Sequence, residues 1–465
     1  MNQLLRSSKS KYSTSFIPRQ ISTFVSILLL AMVTSGAFAL PIAAPKTSFV
    51  KPLGAGSKTG ATWANASSDL QAMIDASVSG DEVWVAGGTY NVPSSSNGFT
   101  LKEGVKVYGG FAGTEAALAN RNLSLTVNKS TLSAGGIKNS VIANSSGLTT
   151  ATRLDGFTIS GALQAGITNS NSSSPTLVNL KITGNGAGGV GNMASSPTLI
   201  NCAIADNGSA GILNLTSSPV IINCTIAVSA ASNFAIGIFN ASQSSPRVRN
   251  SIISASYTAF QNDGGSSIDI QYSLVYSRTG GFIYGYPAII QADPLFSNPA
   301  LGDYTLQHCS PGVNNGSNTI YAGGQMPDIS NITTDLDGHP RFFGGGTVDM
   351  GAYEHQQERS ETAGVRFVKA GGTGTGASWD CAMGNLQQAI NSTLSGQIWV
   401  AGGTYLAEQG AFSTRAGVNM YGGFAGTETS LAERDLSIIS NKSILRRTGD
   451  NPVVAFSGQS SLPRY

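Results

Sequence analysis

The chain has 465 residues, 11% of them charged and 41% hydrophobic, with 57 glycines and a formal net charge of +2. That apolar fraction can fill a core, which excludes a disordered chain, and the near-zero charge gives no electrostatic case for nucleic acid or an acidic membrane surface. So few charges imply a surface of small hydroxyl and amide side chains, a β-structure composition.

Residues 1–39 stand apart. Arg6, Lys9, Lys11 and Arg19 precede an apolar run from Ile21 to Val33, and Ala37-Phe38-Ala39 offers a small-residue cleavage site. This is the pattern of a secretory signal peptide, with an apolar run too short for an ordinary membrane span. No later stretch is long and apolar enough to cross a bilayer, so the expectation is an exported protein, extracellular or on the outer cell surface, with no membrane span after signal cleavage.

From residue 49 the sequence carries one long unit and the start of a second. Phe49-Val50-Lys51 and Trp63 recur as Phe367-Val368-Lys369 and Trp379. The stretch from Val83 to Tyr90 recurs from Ile398 to Tyr405, and that from Tyr108 to Glu115 from Tyr421 to Glu428. Each copy opens with a short amphipathic helix, around Leu70, Met73 and Ile74 in the first and from Leu386 to Ile390 in the second. Ser67, Ser68 or Asp69 is the N-cap of the first helix, and Gly80 ends it. Such a helix can cover the open end of a stacked core. Residues 49–130 read as cap and first coils, 366–447 as a partial second unit, and 448–465 as an unstructured or atypical tail. A partial turn leaves an unpaired strand edge, so the sequence reads as a fragment of a longer protein or a prematurely ended reading frame.

The body from 131 to 295 is periodic. Ser-Ser-Pro stands at Ser173-Ser174-Pro175 and again 22 and 44 residues later, at Ser195-Ser196-Pro197 and Ser217-Ser218-Pro219; a fourth copy is Ser244-Ser245-Pro246. Each Pro is followed at the fourth position by Asn (Asn179, Asn201, Asn223, Asn250) and at the seventh by Ile (Ile182, Ile204, Ile226, Ile253). The period is too short for a helical-pair repeat and long enough for one turn of a β-solenoid, a stack in which each turn touches only its neighbours. Leu177, Leu199, Ile221 and Val248 read as inward-facing, as do Leu180, Cys202, Cys224, Ser251 and the four Ile. The Asn column marks corners, because Asn tolerates the left-handed conformation, and stacked amides can hydrogen-bond along the ladder. A second column is Asn169, Asn192, Asn214 and Asn240. About eight coils are expected, with weaker ones around Gly156 and Tyr272.

Four cysteines, Cys202, Cys224, Cys309 and Cys381, are too few for a disulfide framework. Cys202 and Cys224 share one repeat position; their parallel side-chain directions suit a disulfide poorly, and they read as stacked buried thiols. Nothing in the Cys and His spacing suggests zinc.

The coil consensus resembles the right-handed parallel β-helix repeat of the pectate-lyase-like superfamily. Gln291-Ala292-Asp293-Pro294-Leu295-Phe296, Asp303-Tyr304-Thr305-Leu306, Ser310-Pro311 and Asn314-Asn315-Gly316 are similar to the closing part of secreted bacterial β-helix proteins. Asp335-Leu336-Asp337-Gly338-His339-Pro340-Arg341 and Val348-Asp349-Met350-Gly351-Ala352-Tyr353-Glu354 resemble the choice-of-anchor Q domain of bacterial surface proteins. The resemblance implies an all-β, right-handed parallel β-helix with 296–357 as its closing module.

Chemistry is harder to find. The Asp-Asp pair and Gly-His-Gly of polygalacturonase-like hydrolases are absent, and the outward charges Asp206, Arg247, Arg249, Asp263 and Asp269 are scattered over several coils. Asp335-Leu336-Asp337-Gly338 lacks the later oxygen ligands of a calcium loop and reads as a turn with an Asp cap, with Arg341 pairing Asp349. No catalytic residue, metal ligand or cofactor is assigned. The expected role is non-catalytic adhesion or contact with a polysaccharide or cell-surface glycan, with Tyr257, Tyr272 and Tyr276 as candidate contacts beside Phe260, Phe282, Tyr284 and Tyr286. A polysaccharide lyase or glycoside hydrolase acting on acidic polysaccharide is the alternative.

Overall fold

Short apolar strands separated by glycine, asparagine and proline corners do not pair as hairpins here; they coil, and successive coils add their strands to three parallel sheets, the middle coils to all three. The computed structural model describes residues 44–228, 235–277, 289–357, 364–407, 411–447 and 453–455. The chain divides into two compact units, Met1–Pro45 and Lys46–Tyr465. The expected signal peptide, Phe282, Tyr284, Tyr286 and most of the expected tail lie outside the described residues, and everything below concerns the second unit.

Sheet A has nine strands, from Thr47–Val50 to Asp269–Gln271; sheet B has nine, from Gly88–Asn91 to Ile289–Gln291; sheet C has six, from Ile142–Asn144 to Thr258–Asn262. All their pairings are parallel. Nine levels spaced by ~4.8 Å make a stack of about 40 Å. The interior is a set of in-register columns: Leu154, Leu177, Leu199, Ile221, Val248 and Ile270 on sheet A, and Ile159, Ile182, Ile204, Ile226 and Ile253 on sheet B, all fully buried. Cys202 and Cys224 lie among them as free buried thiols.

The corner between sheets A and B is left-handed at every level of the periodic body, with φ of 52° at Asn179, 58° at Asn201, 51° at Asn223 and 48° at Asn250. Gly156 and Tyr272 occupy the same corner in the flanking coils, at 82° and 48°. Asn is tolerated there because its short amide bonds locally; Tyr is not a residue that prefers it.

The Ser-Ser-Pro corner, between sheets C and A, is two hydroxyl ladders of opposite polarity. On the buried one, the N–H groups of Ser173, Ser195 and Ser217 donate to the Oγ of Ser195, Ser217 and Ser244, one level on, at 3.0–3.1 Å. On the exposed one, the N–H groups of Ser196, Ser218 and Ser245 donate back to the Oγ of Ser174, Ser196 and Ser218 at 2.8–2.9 Å. Both corner amides are satisfied between levels, and the following Pro has no N–H left to satisfy.

The cap helix is Leu70–Ala76, with Asp69 as N-cap accepting from the Ala72 N–H at 2.9 Å, and Leu70 and Ile74 buried on the core. It stops before the expected Gly80, because Ser77 turns to extended backbone while its hydroxyl bonds the Met73 carbonyl at 2.8 Å. In the second copy, Val365–Val368, Gly396–Ala401 and Val418–Phe424 form a parallel three-stranded sheet behind the Leu386–Ser392 helix.

Candidate functional site

Residues 296–357 do not stack as a further coil. A short antiparallel pair, Phe296–Asn298 with Asp303–Leu306, leads into irregular chain that lies along the flank of the solenoid. Phe296, Tyr304, Leu306, Leu336, Met350 and Tyr353 pack on the outer face of sheet B at Ala203, Ala205, Ala227, Ile252 and Leu274. Tyr321, Ile329, Ile332 and Val348 pack on the outer face of sheet A at Val178, Ile200 and Ile222. The module therefore straddles the A/B corner and covers the Asn column.

That cover splits the column. Asn179 donates to the Asp155 carboxylate at 3.0 Å and Asn201 donates to Asn179 at 2.7 Å, along the stack. The Asn201 carbonyl instead accepts from Arg341. Asn223 donates outward to the Tyr321 hydroxyl at 2.8 Å, and Asn250 exchanges two bonds with the Ser317 backbone at 2.8 and 3.0 Å. The uninterrupted amide ladder is the second column, which runs Asn144, Asn169, Asn192, Asn214, Asn240, Asn262 through five side-chain bonds of 2.8–3.0 Å, buried in the core as far as Asn240. A third pair, Asn185 and Asn207, bonds likewise at 2.9 Å; its 22-residue spacing in the sequence was the available signal.

Charge concentrates under the module. Arg341 is wholly buried and pairs with Glu354 at 3.4 Å, not with Asp349. Asp349 is occupied by the backbone N–H groups of Asn314 and His355 at 2.7 and 2.6 Å, which is why it does not turn to the guanidinium. Asp335 caps its own turn, accepting from the N–H groups of Asp337 and His339, and its second oxygen takes the Glu354 N–H at 2.9 Å. Burial, reinforced by the Asp349 carboxylate, pushes Glu354 up to about 8 against the pull of Arg341. Burial also raises Asp335, although its backbone donors and Arg341 oppose the shift. Asp155 goes the other way: it is buried too, but Arg121 and Arg153 outweigh desolvation and its pKa is lowered.

The scattered outward charges find partners. Arg249 is buried and pairs with Asp269 at 2.6 Å, Asp206 accepts from the Tyr304 hydroxyl, Arg247 reaches the Met326 carbonyl at 3.4 Å, and Asp263 accepts from Gln261 at 3.0 Å. No group of three metal-ligating side chains occurs among the described residues. The candidate aromatic contacts are not one surface: Tyr272 (37% exposed) is on the A/B corner, Tyr257 (39% exposed) lies between sheets B and C, and Tyr276 packs against the module's apolar cluster.

Two features were missed in the sequence. Cys309, in the module, forms a disulfide with Cys381 in the cap of the second copy; the residues lie in different copies of the repeat and share no period, so spacing could not pair them. The other is a cavity of about 180 Å³ where the 123–129 loop, sheet B and the Asp335 turn meet, lined by Asn128, Lys129, Thr158, Lys181, Leu336 and Asp337. A larger open cleft of about 1140 Å³ lies between Asp293 and the second copy's glycine-rich loop.

Fold and core define a right-handed parallel β-helix protein. Residues 116–278 match the family model described as right handed beta helix region. No curated protein matches the chain. Among solved structures, the crystal structure of the pectate lyase Pel9A is 14% identical, covering 68% of this chain and 98% of its own with a TM-score of 0.43. That of the PL6-family alginate lyase AlyGC is 10% identical, covering 73% of this chain and 50% of its own with a TM-score of 0.23.

Proposed function

We propose that this is an exported β-helix protein of the cell surface or extracellular space that holds glycan chains without cleaving them. One observation carries the reading: the charges that acid–base or calcium chemistry would draw on are spent as fasteners. Arg341 and Asp206 tie the flanking module to the coils, Arg249 and Asp269 tie one coil to the next, and Glu354 and Asp335 brace the module internally. A general acid or base must be free to reach substrate and exchange a proton with it, and groups so engaged serve rigidity instead. The Cys309–Cys381 disulfide suits an oxidising compartment. The exposed ridge of Ser174, Ser196, Ser218 and Ser245 offers repeated hydroxyls to a polyhydroxylated chain.

The test is to incubate the protein with a panel of neutral and uronic-acid polysaccharides, immobilised and free. Retention without release of reducing ends or unsaturated products is expected. Turnover that disappears on Arg247→Ala or Arg249→Ala would overturn the proposal.

A further inference from the structure

The cavity at the 123–129 loop is a built site. Asn128 is 2% exposed, and its Nδ2 is held by the Asn122 carbonyl at 3.0 Å, while its Oδ1 has no partner among the described residues. A buried acceptor left unpaired is costly, and one bound water could satisfy it. The space is too large for that alone, because about 180 Å³ corresponds to roughly six water volumes. Its walls come from three distant segments. Gly110 has a φ of 87°, and a side chain there would collide with Leu123, so the loop closes down on the coil. From the opposite side Gly338 approaches Ser124 and brings the Asp335 turn over the opening.

The lining mixes acceptors, donors and apolar surface. Asn128 Oδ1 is an acceptor. Asp337 uses Oδ1 to pair with Lys181 at 2.8 Å, which leaves Oδ2 for a ligand. Lys129 forms no ion pair among the described residues and brings ammonium donors to the rim. Leu123, Leu125 and Leu336 supply apolar wall. A metal ion is opposed by two lysines, and a compact multivalent anion by Asp337 and the Asn128 carbonyl. A ring bearing several hydroxyls satisfies the set, because each hydroxyl both donates and accepts while the ring C–H groups meet the leucines.

We infer that this cavity is the subsite that grips one pyranose ring of a glycan chain, with Asn128 and Asp337 accepting from its hydroxyls and Lys129 and Lys181 donating to it. The inference rests on the glycan-holding reading and names its anchor point. The ring can come from a neutral or an acidic chain; in the acidic case Lys129 takes the carboxylate.

Calorimetric titration of the whole protein with a neutral glucose tetrasaccharide and with a tetrameric uronate separates the two. Wild-type protein is expected to bind at least one of them, with Asp337→Asn weakening either by roughly ten-fold and Lys129→Ala weakening the uronate by as much. Both substitutions are at the rim, so folding is preserved and checked by circular dichroism; Asn128→Asp, of equal size, tests the buried acceptor. Wild-type protein retained on immobilised polysaccharide, with all three variants titrating like wild type, overturns the subsite and leaves the glycan-holding reading standing. Wild-type protein retained by no polysaccharide overturns that reading, and the subsite with it.

Discussion

Asn192 sits near the middle of the buried amide column, fully enclosed, accepting from Asn169 at 3.0 Å and donating to Asn214 at 2.9 Å. Asn192→Ala removes both bonds, each worth about 1 kcal/mol net, but the larger effect is what remains. Asn169 keeps a donor and Asn214 an acceptor with nothing to meet, and each buried orphan costs about 1–3 kcal/mol. The expected loss is about 4 kcal/mol. For roughly 400 ordered residues unfolding as one body, that is about 5 °C of melting midpoint. Asn262 ends the same column, exposed, accepting from Asn240 at 2.8 Å. Asn262→Ala leaves the Asn240 amide facing water and should cost less than about 1 kcal/mol. Thermal unfolding followed by circular dichroism compares the two. The double variant Asn192→Ala/Asn214→Ala should cost less than the sum of its parts, because the second change deletes an orphan made by the first. Equal shifts for Asn192→Ala and Asn262→Ala, or strict additivity of the double variant, would refute the reasoning.

Glu354 provides a pH test. Its pKa in the folded protein, about 8, exceeds the ordinary 4.5, so between these values the unfolded chain has released a proton that the folded one retains. Stability therefore falls as pH rises from about 4.5 to about 8, by at most about 5 kcal/mol, and levels off above. Asp335 is raised too and adds to the same slope; urea midpoints across that range should flatten markedly in Glu354→Gln. At the A/B corner, Tyr272→Asn places the residue type of its neighbours at a φ of 48° and should stabilise by about 0.5–1 kcal/mol in the same melts, while weakening polysaccharide retention if Tyr272 is a contact. Cys309→Ser/Cys381→Ser opens a loop of 72 residues, a loss of about 4–5 kcal/mol of denatured-state constraint. Limited proteolysis should then cut between the copies in the variant and in reduced wild-type protein, but not in the oxidised form.

The coils were legible in the sequence because a parallel solenoid is locally determined. Each turn meets only the next, so a contact such as Leu177 on Leu199 is written as a 22-residue period. Corner glycines and asparagines announce themselves through a backbone conformation few other residues tolerate. What tertiary structure alone decided is everything that leaves the stack. The 296–357 module has no period, and only folding shows that it lies along the flank, takes Asn223 and Asn250 out of the ladder and buries Arg341 beside Glu354. The Asn128 cavity needs three segments brought together across more than two hundred residues of chain. Periodicity records contacts between equivalent positions, and neither the module's seat, the Cys309–Cys381 bond nor the cavity joins equivalent positions. That is the physical reason the fold could be read from the chain and its candidate site could not.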